Sequence, residues 1–200
     1  PKIDDSGARV LGGLLESLPR PLPYNVIDLG FNLITTEGMW SIARGLSAGF
    51  SGEEERGLET LRLNDNKQCL LDADLARALA ESLPQTLKWL DINETGINGA
   101  SLAAMLPLLA LPLLTELNIG YNKSIGAMGF AALSEALPRM EELQTLRMAS
   151  SDLDDASFSM LLPSLARLPR LERLDISRNN FDTLGFEALA TALPGMEALH

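Results

Sequence analysis

The sequence predicts an α/β solenoid in which short parallel strands alternate with helices. A nine-residue phrase with apolar residues at positions 1, 4 and 6 occurs six times, and its copies begin 34, 29, 27, 29 and 28 residues apart. Five of the six copies are followed by an amphipathic stretch that closes in Leu-Pro. A strand–helix unit repeated at a nearly constant period buries its apolar faces only by stacking on its neighbours, which predicts a solenoid. The copies begin at Tyr24, Leu58, Leu87, Leu114, Leu143 and Leu171.

The phrase itself predicts a short strand. Its apolar positions 4 and 6, such as Leu117 and Ile119, alternate with mostly polar positions 3 and 5, as in a strand with one buried face. Position 9 is asparagine in four copies and Thr95 or Ser151 in the other two. We expect these side chains to pair with backbone groups of the neighbouring turn, which stacked turns require. The four asparagines are Asn32, Asn66, Asn122 and Asn179.

The second half of each repeat is predicted to be a helix, because apolar residues such as Phe130, Leu133 and Leu137 recur at helical spacing. A small residue stands near the start of five helices, and we expect it to let the helix lie close to the strand layer. These residues are Gly38, Ser101, Gly129, Ser157 and Gly185. Prolines after the last helical leucine are predicted to end five helices. They are Pro84, Pro112, Pro138, Pro169 and Pro194.

The phrase and its period resemble the leucine-rich repeat family, and repeats of 27 to 29 residues with a long helical half resemble its ribonuclease-inhibitor-like class. The resemblance covers the whole chain, so a single domain is expected over residues 1–200, with a partial repeat over residues 1–22. It implies a right-handed horseshoe, with parallel strands on the concave face and helices on the convex face. The family supports many functions, so the resemblance is more specific for fold than for role.

The same register predicts that the chain is a segment of a longer protein. Ile3, Gly7 and Leu11 match the apolar, small and first helical residues of a further repeat, which places Pro1 at position 9. Leu199 falls 28 residues after Leu171 and corresponds to position 1 of a seventh strand. Both ends are therefore expected to be cut within a repeat. A complete chain with frayed ends is the alternative.

Composition narrows the class of protein. No uncharged apolar run reaches the length of a membrane span, and a net charge of −11 disfavours nucleic acid or an anionic membrane as a partner. A single cysteine, Cys69, is incompatible with the disulfide framework of many secreted repeats. We expect an intracellular, cytoplasmic protein, with an organelle left open because a leader could precede Pro1.

Two departures from the period leave alternatives open. The first repeat holds an acidic, glycine-containing insertion over Ala48–Gly57, which is interpreted either as a solvated loop or as a partner contact. A smaller insertion over Asn66–Leu71 leaves open whether Cys69 or Leu70 takes the core position.

The sequence contains no pattern that predicts a catalytic residue, a cofactor or a metal. The only histidine is His200, and Cys69 has no histidine partner, so we interpret that thiol as part of the core. The acidic group of Asp152, Asp154 and Asp155 lacks the glycine and distal glutamate of a calcium loop. Its position before a helix indicates capping instead.

The register indicates which side chains face solvent. Positions 3 and 5 point away from the core into the concave face, and position 8 lies at its edge. Position 3 supplies Val26, Thr60, Trp89, Glu116, Thr145 and Arg173; position 5 supplies Asp28, Arg62, Asp91, Asn118, Arg147 and Asp175; position 8 supplies Phe31, Asp65, Glu94, Tyr121, Ser150 and Arg178. The predicted partner-binding residues among them are Trp89, Tyr121, Phe31, Arg62, Asp91, Glu94, Glu116, Arg147, Arg173 and Arg178.

Trp89 is the most informative of these residues, because the core pattern does not require an indole at a solvent-facing position. We predict an aromatic patch of Trp89, Tyr121 and Phe31, since aromatic and arginine side chains dominate binding energy at interfaces. The alternative is that Trp89 packs on a strand neighbour such as Arg62 or Glu116 and binds nothing. Towards the C-terminus, a basic group that would orient a partner is predicted. It comprises Arg147, Arg173 and Arg178.

These features favour a non-catalytic interaction or scaffold module that binds a protein partner or joins a larger assembly. No small-molecule substrate is evident. The alternative, implied by the resemblance, is a regulatory module of a GTPase activator or of an innate-immune-type sensor. For that role Arg178 and Asn179 are the candidate assisting residues, although Asn179 already occupies the asparagine position.

Overall fold

The computed structural model describes residues 1–19, 22–48, 57–108 and 111–199. Within these ranges, six strands form one all-parallel sheet in chain order. The strands are β1 (Val26–Asp28), β2 (Thr60–Arg62), β3 (Trp89–Asp91), β4 (Glu116–Asn118), β5 (Thr145–Arg147) and β6 (Arg173–Asp175). Each strand begins at position 3 of its repeat. The inserted residues 49–56 and His200 lie outside the described ranges.

Helices alternate with these strands. They are α1 (Asp5–Ser17), α2 (Thr36–Ser47), α3 (Ala73–Glu81), α4 (Gly99–Met105), α5 (Gly126–Ala136), α6 (Asp155–Leu165) and α7 (Thr183–Ala192). Single 3₁₀ turns over Leu106–Leu108, Leu137–Arg139 and Leu193–Gly195 extend α4, α5 and α7. The predicted α/β solenoid of parallel strands and alternating helices is thus confirmed.

The core lies between the sheet and the helices. In the four inner repeats, strand residues at positions 1, 4 and 6, such as Leu114 and Leu117, are buried against helix residues such as Phe130. In the first and last repeats, Ile27, Leu174 and Ile176 are only partly buried. Tyr24 is the exception at position 1, with 54% of its surface exposed. Cys69 and Leu70 are both fully buried, so the smaller insertion places two side chains in the core instead of one.

Hydrogen bonds confirm the asparagine ladder. The Asn122 amide donates to the carbonyls of Ile92 at 2.9 Å and Ile119 at 3.0 Å, and its oxygen accepts from the N–H of Thr95 at 3.1 Å and of Gly96 at 3.0 Å. Each such amide therefore ties its own turn to the turn before it. Asn66 and Asn179 make the corresponding contacts. Asn32 accepts from the N–H of Ile3 but donates only to carbonyls of its own turn. Threonine and serine do less, since the Thr95 hydroxyl donates only to the Ile92 carbonyl.

Six of the seven described helices begin at a side-chain cap, and α5 is the exception. Asp154 accepts the N–H of Ser157 at 2.8 Å, which confirms the capping interpretation of that acidic group. Hydrogen bonds from the backbone and the side chain of Ser157 hold the pKa of Asp154 below its ordinary value. The predicted stops are less exact, because Pro138 and Pro194 lie inside the 3₁₀ turns that prolong their helices.

The expected reason for the small residues near the helix starts is wrong at Gly38 and Gly129. A methyl group on Gly38 would overlap the carboxylate of Asp5 and lie 2.9 Å from Cβ of Ala8, and one on Gly129 would lie 3.2 Å from Cα of Gly99. These atoms belong to the helix of the preceding repeat, not to the strand layer. Gly38 and Gly129 therefore limit the distance between neighbouring helices.

An aspartate in the first turn of a helix also caps the following helix. Asp5 accepts the N–H and the hydroxyl of Thr35 at 2.8 and 2.7 Å, and the N–H of Gly38 at 3.1 Å. Asp155 accepts the N–H of Asp182 at 3.2 Å in the same way. Helix termini of successive repeats are thus joined by carboxylates as well as by apolar packing.

Candidate partner-binding surface

The residues at positions 3, 5 and 8 of the six repeats form one surface, here called the strand face. The sheet register aligns the rows as predicted, with Thr60 beside Trp89 and Trp89 beside Glu116. Most of these side chains are exposed or half-buried, whereas Thr145 is buried. The strand face is the side of the sheet that a horseshoe would make concave.

The position 8 row has a backbone conformation that the sequence did not predict. All six of its residues, from Phe31 to Arg178, have φ between 50 and 58° although none is glycine. The left-handed region is sterically unfavourable for such residues. In five of them the N–H donates to the position 7 carbonyl of the next repeat, as from Tyr121 to Ala149 at 2.7 Å. Stacking of the turns therefore holds the row in this conformation.

Trp89 lies half-buried on β3 beneath a guanidinium group. Cζ of Arg62 is 3.9 Å from the centroid of the indole ring, within cation–π distance. Nη1 of Arg62 also lies 3.2 Å from Oδ2 of Asp28. The packing contact that the sequence offered as the alternative is therefore present. Partner binding by Trp89 stays a prediction.

The charged residues around Trp89 are largely paired with each other. Arg147 contacts Glu116 at 3.2 Å and Lys67 contacts Glu94 at 3.0 Å, both between neighbouring repeats. These partly exposed pairs add little stability, but they fix where charge is presented.

Asp91 lies at the centre of the strand face without an ion pair among the described residues. One of its carboxylate oxygens accepts the N–H of Asn93 at 3.1 Å, so it stabilises its own turn. Burial raises the pKa of Asp91 above its ordinary value, although hydrogen bonds from Asn93 and Asn118 oppose the effect.

The aromatic and basic groups are arranged differently from the prediction. Nη1 of Arg178 donates to the Tyr121 hydroxyl at 2.9 Å, which joins the turns after β4 and β6. Phe31 is 66% exposed but lies three strand spacings from Tyr121, about 14 Å, so the three aromatics do not form one patch. Arg147 is held by Glu116, and Arg173 is exposed with no ion pair in the described part of the chain.

The side of the solenoid formed by the helices, here called the helix face, carries the second tryptophan. Trp40 is 42% exposed on α2 and borders a cavity of about 470 Å³, which is also lined by Ala43, Arg44, Ser47 and Ala78. The two indoles thus lie on opposite sides of the solenoid.

Cys69 is not placed for nucleophilic chemistry, because burial raises the pKa of its thiol to about 12. We expect the folded protein to react with iodoacetamide about a thousandfold more slowly than the urea-unfolded chain, since so little thiolate is present. Mass spectrometry reports this directly, because the chain has one cysteine. Labelling of the folded protein at the unfolded rate would contradict a closed core at Cys69.

In the described ranges, no group of three or more His, Cys, Asp or Glu side chains is arranged to hold a metal ion. None of the helices described is both long enough and apolar enough to cross a bilayer.

Comparison with known families agrees with this architecture. Two family models described as Leucine Rich Repeat match the chain, one over residues 110–134 and the other over residues 170–192. Each match contains one strand, β4 or β6, and part or all of the helix that follows. A search of curated proteins found no match. These two matches and the solenoid of strands and helices support a leucine-rich repeat protein. Repeats of this family generally mediate binding to other proteins, whereas the ribonuclease-inhibitor-like class stays a prediction.

Proposed function

We propose that this chain is a non-catalytic module that binds a protein partner through its strand face. The observation that carries the proposal is the half-buried indole of Trp89, which faces away from the core and takes no part in the asparagine ladder. Tryptophan, tyrosine and arginine supply most of the binding energy at interfaces. Trp89, Arg62, Tyr121 and Arg178 place these residue types along one face.

Charge supports the same surface. The charges from Asp28 to Arg178 present a fixed mixed pattern in which, among the described residues, Asp91 is without an ion pair near the centre and Arg173 is without one at the β6 end. Such a pattern selects and orients a partner more than it adds affinity. We therefore expect one specific partner surface and not general adhesion to oppositely charged proteins.

The test is a binding measurement on two tryptophan variants. A partner is first identified by affinity purification, and its dissociation constant is then measured by calorimetry. We expect Trp89→Ala to weaken binding by about tenfold or more, roughly 1.4 kcal/mol. Trp40→Ala is the matched control on the opposite side of the solenoid. If Trp40→Ala weakens binding and Trp89→Ala does not, the partner uses the helix face and the proposal is wrong.

The regulatory alternative has no comparable support. The Asn179 amide donates to the carbonyls of Met148 and Ile176, so it is engaged within the scaffold. Arg178 is held by the Tyr121 hydroxyl. We expect the chain not to accelerate GTP hydrolysis by a panel of small GTPases, and acceleration that depends on Arg178 would revive this alternative.

A further inference from the structure

Three side chains form a continuous contact path across the first three strands. Oδ2 of Asp28 on β1 accepts from Nη1 of Arg62 on β2 at 3.2 Å, and the Arg62 guanidinium lies 3.9 Å from the centre of the Trp89 ring on β3. Asp28 and Arg62 are direct register partners. Asp28 was not among the binding residues predicted from sequence. It contacts Arg62 and influences Trp89 only through it.

We infer that Asp28, acting through Arg62, positions Trp89 as the anchor for the partner. The inference rests on the proposed function of the strand face. A guanidinium fixed at one side by a carboxylate keeps its plane over the indole, so the ring is already ordered before a partner arrives. Side chains that need not be ordered on binding give higher affinity. Asp28 is thus a positioning residue.

The same path determines which partner group fits beside Trp89. Arg62 already occupies the position over the ring that a partner cation would take. Asp28, Asp91 and Glu116 surround the pair and disfavour a partner carboxylate. The group that matches is therefore uncharged, such as a peptide carbonyl, because it neither competes with Arg62 for the ring nor is repelled by these carboxylates.

Fluorescence quenching tests the path without a partner. Trp40→Phe leaves Trp89 as the sole indole of the chain and is the parent for each variant. Asp28→Asn keeps the acceptor that receives the N–H of Gly30 but removes the charge that holds Arg62. We expect acrylamide to quench Trp89 about two- to fivefold more strongly in Asp28→Asn, because loss of the stacked arrangement shifts its population by about that factor.

The identity of the partner group is tested with caesium, a cationic quencher. We expect caesium to quench the parent weakly and Arg62→Gln strongly, since that change opens the ring face and leaves the surrounding carboxylates. Arg62→Lys keeps the charge but not the planar stack, so it should behave like Arg62→Gln. Arg173→Gln, which removes an exposed strand-face arginine on β6, three strands from β3, is the matched control, and caesium should quench Trp89 in that variant as weakly as in the parent.

Each outcome supports or contradicts the inference. Equal acrylamide quenching in the parent and Asp28→Asn would show that Asp28 does not position the indole. Strong caesium quenching of the parent would show that the ring face is open to cations. Either result can occur while Trp89→Ala still weakens a partner, so failure of this inference is separable from failure of the proposed function.

Discussion

Replacement of Asn122 by alanine is expected to lower the free energy of unfolding by about 3–5 kcal/mol. The change leaves the carbonyls of Ile92 and Ile119, and the N–H groups of Thr95 and Gly96, without their amide partner in the interior. A buried polar group without a partner costs about 1–3 kcal/mol, and backbone groups cannot be removed to relieve it. Urea unfolding followed by circular dichroism measures the effect.

Asn122→Thr is the matched control for this prediction. Threonine stands at the same position of the preceding repeat, where the Thr95 hydroxyl makes one hydrogen bond of the kind that Asn122 makes. We expect the threonine variant to lie between the wild-type and alanine proteins in its urea midpoint. Alanine and threonine variants that both unfold like the wild type would show that the ladder contributes nothing to stability.

Replacement of Gly45 by leucine is expected to lower the free energy of unfolding by about 3 kcal/mol. A methyl group on Gly45 would overlap the carbonyl oxygen of Gly12 and lie 2.9 Å from Cβ of Leu15, so any side chain meets α1. The obstructing carbonyl is backbone and cannot rotate away. Helices α1 and α2 would have to separate, which exposes apolar surface between them.

Gly13→Leu separates this packing effect from the properties of leucine. Gly13 lies in α1, and a methyl group there would have no atom within 4 Å. Removal of a glycine from a helix interior is expected to stabilise it by about 0.5–1 kcal/mol. Thermal unfolding should therefore move in opposite directions for the two variants. A stable Gly45→Leu protein would mean that α1 and α2 are not in close contact.

The fold was predictable because its signals are local and repeated. The alternation around Leu117 and Ile119 placed β4, and the same positions placed the other strands. The ladder followed from the need of stacked turns for hydrogen-bond partners, and Asn66 and Asn122 meet it. A residue pattern of this kind fixes which side of an element is buried.

The residue pattern does not determine which atoms the buried side of a strand or helix contacts. Gly38 was correctly expected to be close to a neighbour, but the neighbour is α1 of the preceding repeat and not the sheet. A signal for the carboxylates between helices was present, since Ile3-Asp4-Asp5 and Leu153-Asp154-Asp155 share one arrangement. Only the structure shows the second aspartate reaching the following repeat.

The candidate surface was predictable as a set of rows but not as a set of contacts. The rows follow from the alternation of side chains along each strand, which is a local property. The bond between Arg178 and Tyr121 joins residues 57 positions apart, and the Arg62–Trp89 stack depends on a rotamer choice between two strands. Neither contact can be predicted from periodicity, because both depend on the conformations that long side chains adopt across repeats.

The left-handed row at position 8 has a consequence for redesign of this protein. Phenylalanine, aspartate, glutamate, tyrosine, serine and arginine all adopt the same backbone geometry there, with φ of 50–58°. In five of the six, a main-chain hydrogen bond to the next turn supports that geometry whatever the side chain is, and Arg178 adopts it without such a bond among the described residues. The row therefore acts as a line of interchangeable sites. A new recognition sequence, free of β-branched residues, can be written along it while the leucine core and the amide ladder stay unchanged.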